Sequence, residues 1–367
     1  MAYTNINDPS AYFQIATYTG AGSTVVTVTN DGNSDLQPDF LWFKRRDSAG
    51  GHALLDTSRG ANVTSGFGPT GYSFVLNSNS TASEVADSTG VMTITSDGFT
   101  AKELTYAGGN TNTGSMVAWQ WHCNGGTTSS NTDGSITSTV QANQDAGFSI
   151  QTFTGASSGN SNWGHGLGVT PDVFIVKRRD GSSGWWGHWK GTARTASSGN
   201  NWEYMGLHST AAATSLATFK ADSTTITASN SFVPNSSSMV CYCFAEKQGY
   251  SRFGKYIGTG ARAYAPFIYT GFKPAFVMVR CSNITGQWLM FDSTRNPYNG
   301  DFDYVLANSG GAESDSGLSF VDPIDFLSNG FRVMNYDAWM NGGNNTYIYM
   351  AFAEHPFVAG GIPTTAR

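Results

Sequence analysis

The residues with the clearest capacity for chemistry lie between Phe174 and Arg194, in FIVKRRDGSSGWWGHWKGTAR. Three cations, Lys177, Arg178 and Arg179, are followed by Trp185, Trp186 and Trp189, with His188 among the tryptophans. Basic residues beside aromatics suit nucleic acid. A tryptophan cluster suits a sugar ring or another subunit, since large aromatics make good contact anchors. An earlier stretch, FLWFKRRDSAGGHALLDTSRG over 40–60, carries the same KRRD without the tryptophans.

Net charge decides against nucleic acid. Lys and Arg number 20 against 26 Asp and Glu, a formal net charge of −6. Phosphate neutralisation dominates nucleic-acid affinity, so proteins that live on it are usually basic. Only 13% of residues are charged, about half the usual share of ~25%. No apolar run approaches the ~18 residues of a membrane span. The opening MAYTNINDPSAYFQ has neither a basic segment nor an apolar one, so no secretory leader is expected.

Metal and cofactor chemistry find little footing. Cys123, Cys241, Cys243 and Cys281 form no CxxC pair. The expectation is buried free thiols, as suits a reducing cytoplasm. His122 with Cys123 is the only metal-like pair, and no second pair has zinc spacing. No metal and no cofactor is expected.

Catalysis is equally thin. A glycosidase needs two carboxylates fixed on rigid elements. Here Asp47, Asp56, Asp97, Asp180 and Asp292 fall in turns, while Glu246 and Glu354 recur in two copies of FAE. No GxSxG, HExxH or P-loop occurs. The chain is therefore expected not to be an enzyme, with a polysaccharide depolymerase as the distant alternative.

The elements that must position these residues come in three copies. A Pro-led apolar strand recurs as QPDFLWFKRRD (37–47), TPDVFIVKRRD (170–180) and KPAFVMVRCSN (273–283). Proline is tolerated where a strand begins. A second piece follows as HALLDTSRG (52–60), WGHWKGTAR (186–194) and QWLMFDSTR (287–295). Matching these by eye places Trp189 opposite Leu55 and Phe291, and Arg194 near Arg59 and Arg295. Trp185 and Trp186 then read as insertions. Asp56 with Arg59, and Asp292 with Arg295, read as structural turn ion pairs.

Each unit opens on a strand ending in Thr-Gly and closes on an alternating strand: SMVAWQW, SMVCYCF and TYIYMAF. Asp97-Gly98 and Asn329-Gly330 mark hairpins. In the middle unit that piece is reduced to TASNSFVPN (227–235). The best helical candidate is STASEVAD (80–87). GGTTSSNTDGSITSTV (125–140) reads as a linker, with SITSTVQA as a candidate extra strand.

The expected fold is all-β: three tandem β-sandwich, jelly-roll-like domains over 1–126, 127–249 (with the linker) and 250–367. KRRD is then a strand end, with Lys44 and Arg46 on one face, Arg45 on the other, and Asp47 and Asp180 as local partners. The tryptophans, with Trp163 and Trp202 nearby in sequence, either fill core and interface or form a contact platform. Trp189 is the better core candidate. The contact set is Trp185, Trp186, His188, Trp189 and Trp202.

Taken together, these motifs resemble virion-associated structural proteins of marine tailed phages, a tail-fibre-like family. The resemblance rests on MAYTNINDPSAYFQIATYTGAGS, TDGSITSTVQANQDAGFSI, HGLGVTPDVFIVKRRD, GFKPAFVMVR, FDSTRNPYN, DFLSNGFRV and YIYMAFAEHPFV. It implies a non-enzymatic protein of the particle surface, assembled in the host cytoplasm with other virion proteins. The specific expectation is a tail-fibre component able to contact host-surface glycans. The alternative is a capsid decoration, knob or tail protein with no glycan ligand. By analogy with phage fibres, a homotrimer is the default assembly. The tryptophan enrichment around 185–202 is a departure from the family's pattern.

Overall fold

The computed structural model describes residues 4–59, 73–87, 93–102, 111–193, 202–215, 218–300, 303–314, 323–335, 337–359 and 362–363. Among them the fold is all-β, built of several antiparallel sheets. One pairing order recurs three times. In unit one the opening strand Phe13–Thr19 pairs with the closing strand Ser115–Trp121. That strand pairs with the Pro-led strand Phe40–Arg45, and the Pro-led strand with Ala53–Asp56. Unit two repeats the order with Phe148–Thr154, Ser238–Phe244, Val173–Arg178 and Trp185–Trp189. Unit three repeats it with Ser251–Ile257, Thr346–Pro356, Phe272–Cys281 and Leu289–Asp292.

A three-stranded sheet backs each of these. It comprises Val26–Thr29, Gly98–Ala101 and Thr93–Thr95 in unit one. In unit two it comprises Ser161–Gly164, Thr225–Ala228 and Phe219–Ala221. In unit three it comprises Phe267–Tyr269, Gly330–Val333 and Ile324–Leu327. Gly98 and Gly330 are required by contact: a Cβ on either would lie 2.1 Å from a carbonyl oxygen of the neighbouring strand. The middle hairpin is turned by Asp222, whose carboxylate accepts the N–H groups of Thr224 and Thr225 at 2.8 and 2.7 Å. It lies upstream of most of TASNSFVPN, because an Asp-capped turn does the work of Asp-Gly there.

The Pro-led strands explain the composition. Their residues alternate between two buried surfaces, so they read as unbroken apolar runs. Leu41 and Phe43 face the sandwich core of unit one, and Phe40 and Trp42 face a different cluster. Units two and three have equivalent sandwich cores around Phe174 and Phe219, and around Phe291 and Phe331. The remaining cluster is shared. Phe13 and Trp121, Phe148 and Phe244, and Phe276 and Phe352 meet in it, with rings such as Phe13 and Phe352 stacked at 5.1 Å across units.

Pro274 lies inside its strand, at a bulge where it costs no ladder bond. STASEVAD is not helical; Val85–Asp87 is a strand paired with Ser73–Val75. The expected linker is partly strand. Ser129–Asn131 and Ser138–Asn143 extend the sheet of unit two beyond its opening strand. All four cysteines are free and buried.

Candidate functional site

Strand pairing aligns the units residue by residue and corrects the reading of the tryptophans. Phe40 pairs with Asp56, Val173 with Trp189, and Phe276 with Asp292. Trp189 therefore stands in the place of a carboxylate, one position away from Leu55 and Phe291. Lys177 pairs with Trp185, which puts Trp185 at the position of His52 and Trp288. No insertion has occurred: each of those rings follows the corresponding buried cation, Lys44, Lys177 or Arg280, by eight residues. The match of Arg194 to Arg59 fails for the same reason. Thr192 holds that place, donating its hydroxyl to Trp189 O at 2.8 Å, and Arg194 lies outside the described residues.

The KRRD motif splits into three roles. Its lysine is fully buried. Lys177 Nζ donates to Thr81 O at 3.0 Å and Ser183 O at 2.6 Å; Lys44 Nζ donates to Arg45 O at 2.6 Å. Arg280, the third cation, donates to Gly206 O at 3.0 Å, Ser209 O at 2.7 Å and Ala211 O. Burial pulls Lys44 and Lys177 down to about 8 and Arg280 to about 10. The middle residue pairs locally, Arg45 with Asp47 at 2.6 Å and Arg178 with Asp180 at 2.7 Å. The last reaches the preceding unit: Arg46 binds Glu313 at 2.7 Å, and Arg179 binds Glu84 at 2.8 Å.

The ring at the His52 position performs one task in all three units. Its N–H donates to a backbone carbonyl of the preceding unit. His52 Nε2 meets Leu306 O at 2.9 Å, Trp185 Nε1 meets Asn77 O at 2.8 Å, and Trp288 Nε1 meets Gly206 O at 3.0 Å. The direction is cyclic: one onto three, two onto one, three onto two. Trp42 Nε1 donates to His52 Nδ1 at 2.8 Å, which leaves the proton on Nε2. Burial, with Lys44 nearby, pushes His52 down to about 3.

Two of the three junctions add a buried ionic network. Asp56 accepts the N–H groups of Ser58 and Arg59 and the Arg59 guanidinium. It also accepts the Tyr242 hydroxyl of unit two at 2.6 Å. Arg59 continues to Glu84 at 2.8 Å, and Glu84 to Arg179. The junction of units one and three repeats this with Asp292, Arg295 and Glu313, the latter continuing to Arg46. Trp119 Nε1 donates to Asp292 at 3.0 Å.

The third junction keeps the frame and lacks the Asp–Arg–Glu network. Ala213 N donates to Ser282 O at 2.7 Å, as Glu84 N does to Arg179 O and Glu313 N to Arg46 O. Strand registers place Met350 where Trp119 and Tyr242 stand. Trp189 packs against Trp288 with ring centroids 4.4 Å apart, and Arg280 lies 4.8 Å from the Trp288 ring centre.

The expected contact residues do not form a platform. Trp185 and Trp189 are buried between units. Trp186 is half-buried among Tyr204, His208 and Phe232. His188 is buried, its Nδ1 donating to Glu203 O at 2.9 Å, and Trp202 is half-buried against it. His122 donates to Gln37 O at 2.9 Å. Among the described residues, no group of three His, Cys, Asp or Glu is arranged to hold a metal ion. A polar cleft of about 360 Å³ opens between units one and three, lined by Gln14, Asp31, Ser293, Glu354 and His355 among others. Glu354 is held there by Lys273 at 2.9 Å.

The fold and these junctions define an all-β, multi-sheet protein whose repeated charged and aromatic motifs join its own parts. The chain belongs to the family described as a domain of unknown function, DUF7483, whose model matches residues 8–356 and so spans all three units. No curated protein and no solved structure matches the chain.

Proposed function

We propose that this chain is a non-enzymatic structural protein of a phage particle surface, assembled in the host cytoplasm and bound to other virion proteins. The observation that carries the reading is the use made of the repeated motifs. The last arginine of KRRD, the Asp-Arg turns and the His52, Trp185 and Trp288 rings fasten unit to unit. Arg46, Asp47 and Glu313 line one open cleft of about 340 Å³, and Glu84, Arg179 and Asp180 another of about 300 Å³. In both, the cation and carboxylate are already engaged in an ion pair across the junction. The resemblance of the motifs to tailed-phage virion proteins supplies the setting.

Burial of Trp185 and Trp189 favours the decoration, knob or tail-structural role over glycan contact at that cluster. The cyclic fasteners close within one chain, which favours a folded monomer over the homotrimer drawn from fibre analogy. Mass spectrometry and imaging of purified particles test the reading: the chain should be a stoichiometric component at one place on head or tail. Its absence from purified particles overturns the proposal. Sedimentation of the isolated chain at 39.1 kDa fits the monomer; three times that mass restores the trimer.

A further inference from the structure

The outer face of the small sheet in unit three differs from its two counterparts. Phe267–Tyr269 is an end strand of that sheet. Ile268 turns into the core, while Phe267 and Tyr269 remain 47% and 52% exposed. Tyr264, in the short 3-10 turn just before, is 79% exposed. Three large aromatics thus crowd one stretch of a protein that buries most of its rings.

Cross-strand register places polar groups beside them. Phe267 is opposite Arg332, and Arg332 opposite Asp325. Tyr269 is opposite Gly330. The Phe267 ring leans towards that glycine: a Cβ at 330 would lie 3.1 Å from its Cε2. The floor beside the ring is therefore bare backbone.

The same rows in the other units carry no aromatic. They are Thr27, Thr100 and Thr93 in unit one, and Asn162, Thr227 and Lys220 in unit two. Asn162 Nδ2 is held there by the Thr225 and Thr227 hydroxyls. Sheet formation needs no aromatic at these positions, so the aromatics of unit three have another cause.

We infer that the outer face of Phe267–Tyr269, with Tyr264, Arg332 and Asp325, is a binding site for the pyranose rings of a glycan. A pyranose has an apolar C–H face and an equatorial rim of hydroxyls. An exposed ring lying low on the sheet offers the π-face that the C–H groups stack on. Arg332 offers a planar fork of donors and Asp325 an acceptor for the rim. A second copy of the chain would instead need an apolar patch of several hundred Å². Here Phe267 stands in the same row as a cation and a carboxylate, Arg332 and Asp325.

This inference rests on the surface alone and not on the virion reading, so either can fail without the other. The test presents the labelled full chain to immobilised tri- to hexasaccharides, both neutral and uronate-containing. The expected result is retention on at least one member of the panel. F267A/Y269A should weaken that retention at least about 10-fold, and R332A to a lesser degree. The thermal midpoint and monomeric mass should stay unchanged. T27A/T29A on the matching face of unit one is the control and should change nothing. Three results overturn the inference: no retention on any oligosaccharide, retention indifferent to F267A/Y269A, or a wild-type dimer that F267A/Y269A converts to monomer. The last assigns the face to self-association.

Discussion

The junction of units one and two and the junction of units two and three share one backbone frame and solve the same problem differently. The first holds Asp56, Arg59, Glu84, Arg179 and Tyr242 in a connected buried network. The second has Trp189, Thr192, Ala213 and Ser282 in the matching places, with Trp189 packed on Trp288. A buried ion pair recovers its desolvation cost only when every partner is present; close-packed apolar groups of similar volume do as well or better. The first pairs its charges, while the second relies on ring packing and leaves the buried Trp189 Nε1 and Arg280 Nε without a hydrogen-bond partner among the described residues; mixing the two should fail.

The sharpest test of that contrast is to mix them. Trp189→Asp restores the repeat's carboxylate where Thr192 cannot pair it. It removes a large buried ring and strands a charge, a loss of more than about 5 kcal/mol. The chain should be unfolded by circular dichroism without denaturant. A folded variant would mean that the junction has water or room that its packing does not show.

Breaking the polar solution from inside comes next. Asp292→Ala leaves Arg295 buried beside Trp119 with Glu313 alone to balance it. The expected loss is about 3–5 kcal/mol in urea unfolding, and Asp56→Ala should match it. A loss under about 1 kcal/mol at either site would remove the distinction between the junctions.

The junction of units one and three has a histidine at the ring position where the other two have tryptophan. His52 is pushed down to about 3 in the fold, against 6.5 when unfolded. The unfolded chain therefore binds the extra proton first. This stabilising contribution is intact above pH 6.5 and is lost progressively as pH falls towards 3. His52→Trp installs the ring that the other two junctions use, with an N–H that can still donate to Leu306 O. The fall in unfolding free energy between pH 6.5 and 4, read from urea melts, should become shallower by on the order of 3 kcal/mol. An unchanged slope would place the acid sensitivity elsewhere.

The smallest effect belongs to the rim. Arg179→Ala leaves Glu84 held by Arg59 and should cost about 1 kcal/mol. A double-mutant cycle with Glu84→Ala should give a coupling of similar size.

The Pro-led strands, their closing partners and the Asp-Gly and Asn-Gly hairpins were legible because local chemistry sets them. A run of β-branched and aromatic residues, a proline close to the strand's start and a turn glycine act within a few residues. The Asp56–Arg59 and Asp292–Arg295 turns were legible for the same reason: their partners lie three residues apart. What could not be read was where the other ends of long side chains go. Arg46 meets Glu313 across 267 residues, and Trp119 meets Asp292 across 173. The by-eye match of the second motif slipped because a Trp at an Asp position looks like a different motif until strand pairing fixes the register.

By itself, then, the sequence determined an all-β chain with three matching runs of strands, since periodicity and turn chemistry are short-range properties. Only the tertiary structure decided that the Pro-led strands are buried on both faces and that KRRD divides among burial, local pairing and reach to a neighbour. It also decided that Trp185 and Trp189 lie inside while Tyr264, Phe267 and Tyr269 lie outside. The physical reason is that burial is settled by what packs against a strand's second face, and in this protein that is another unit's strand, distant in the chain.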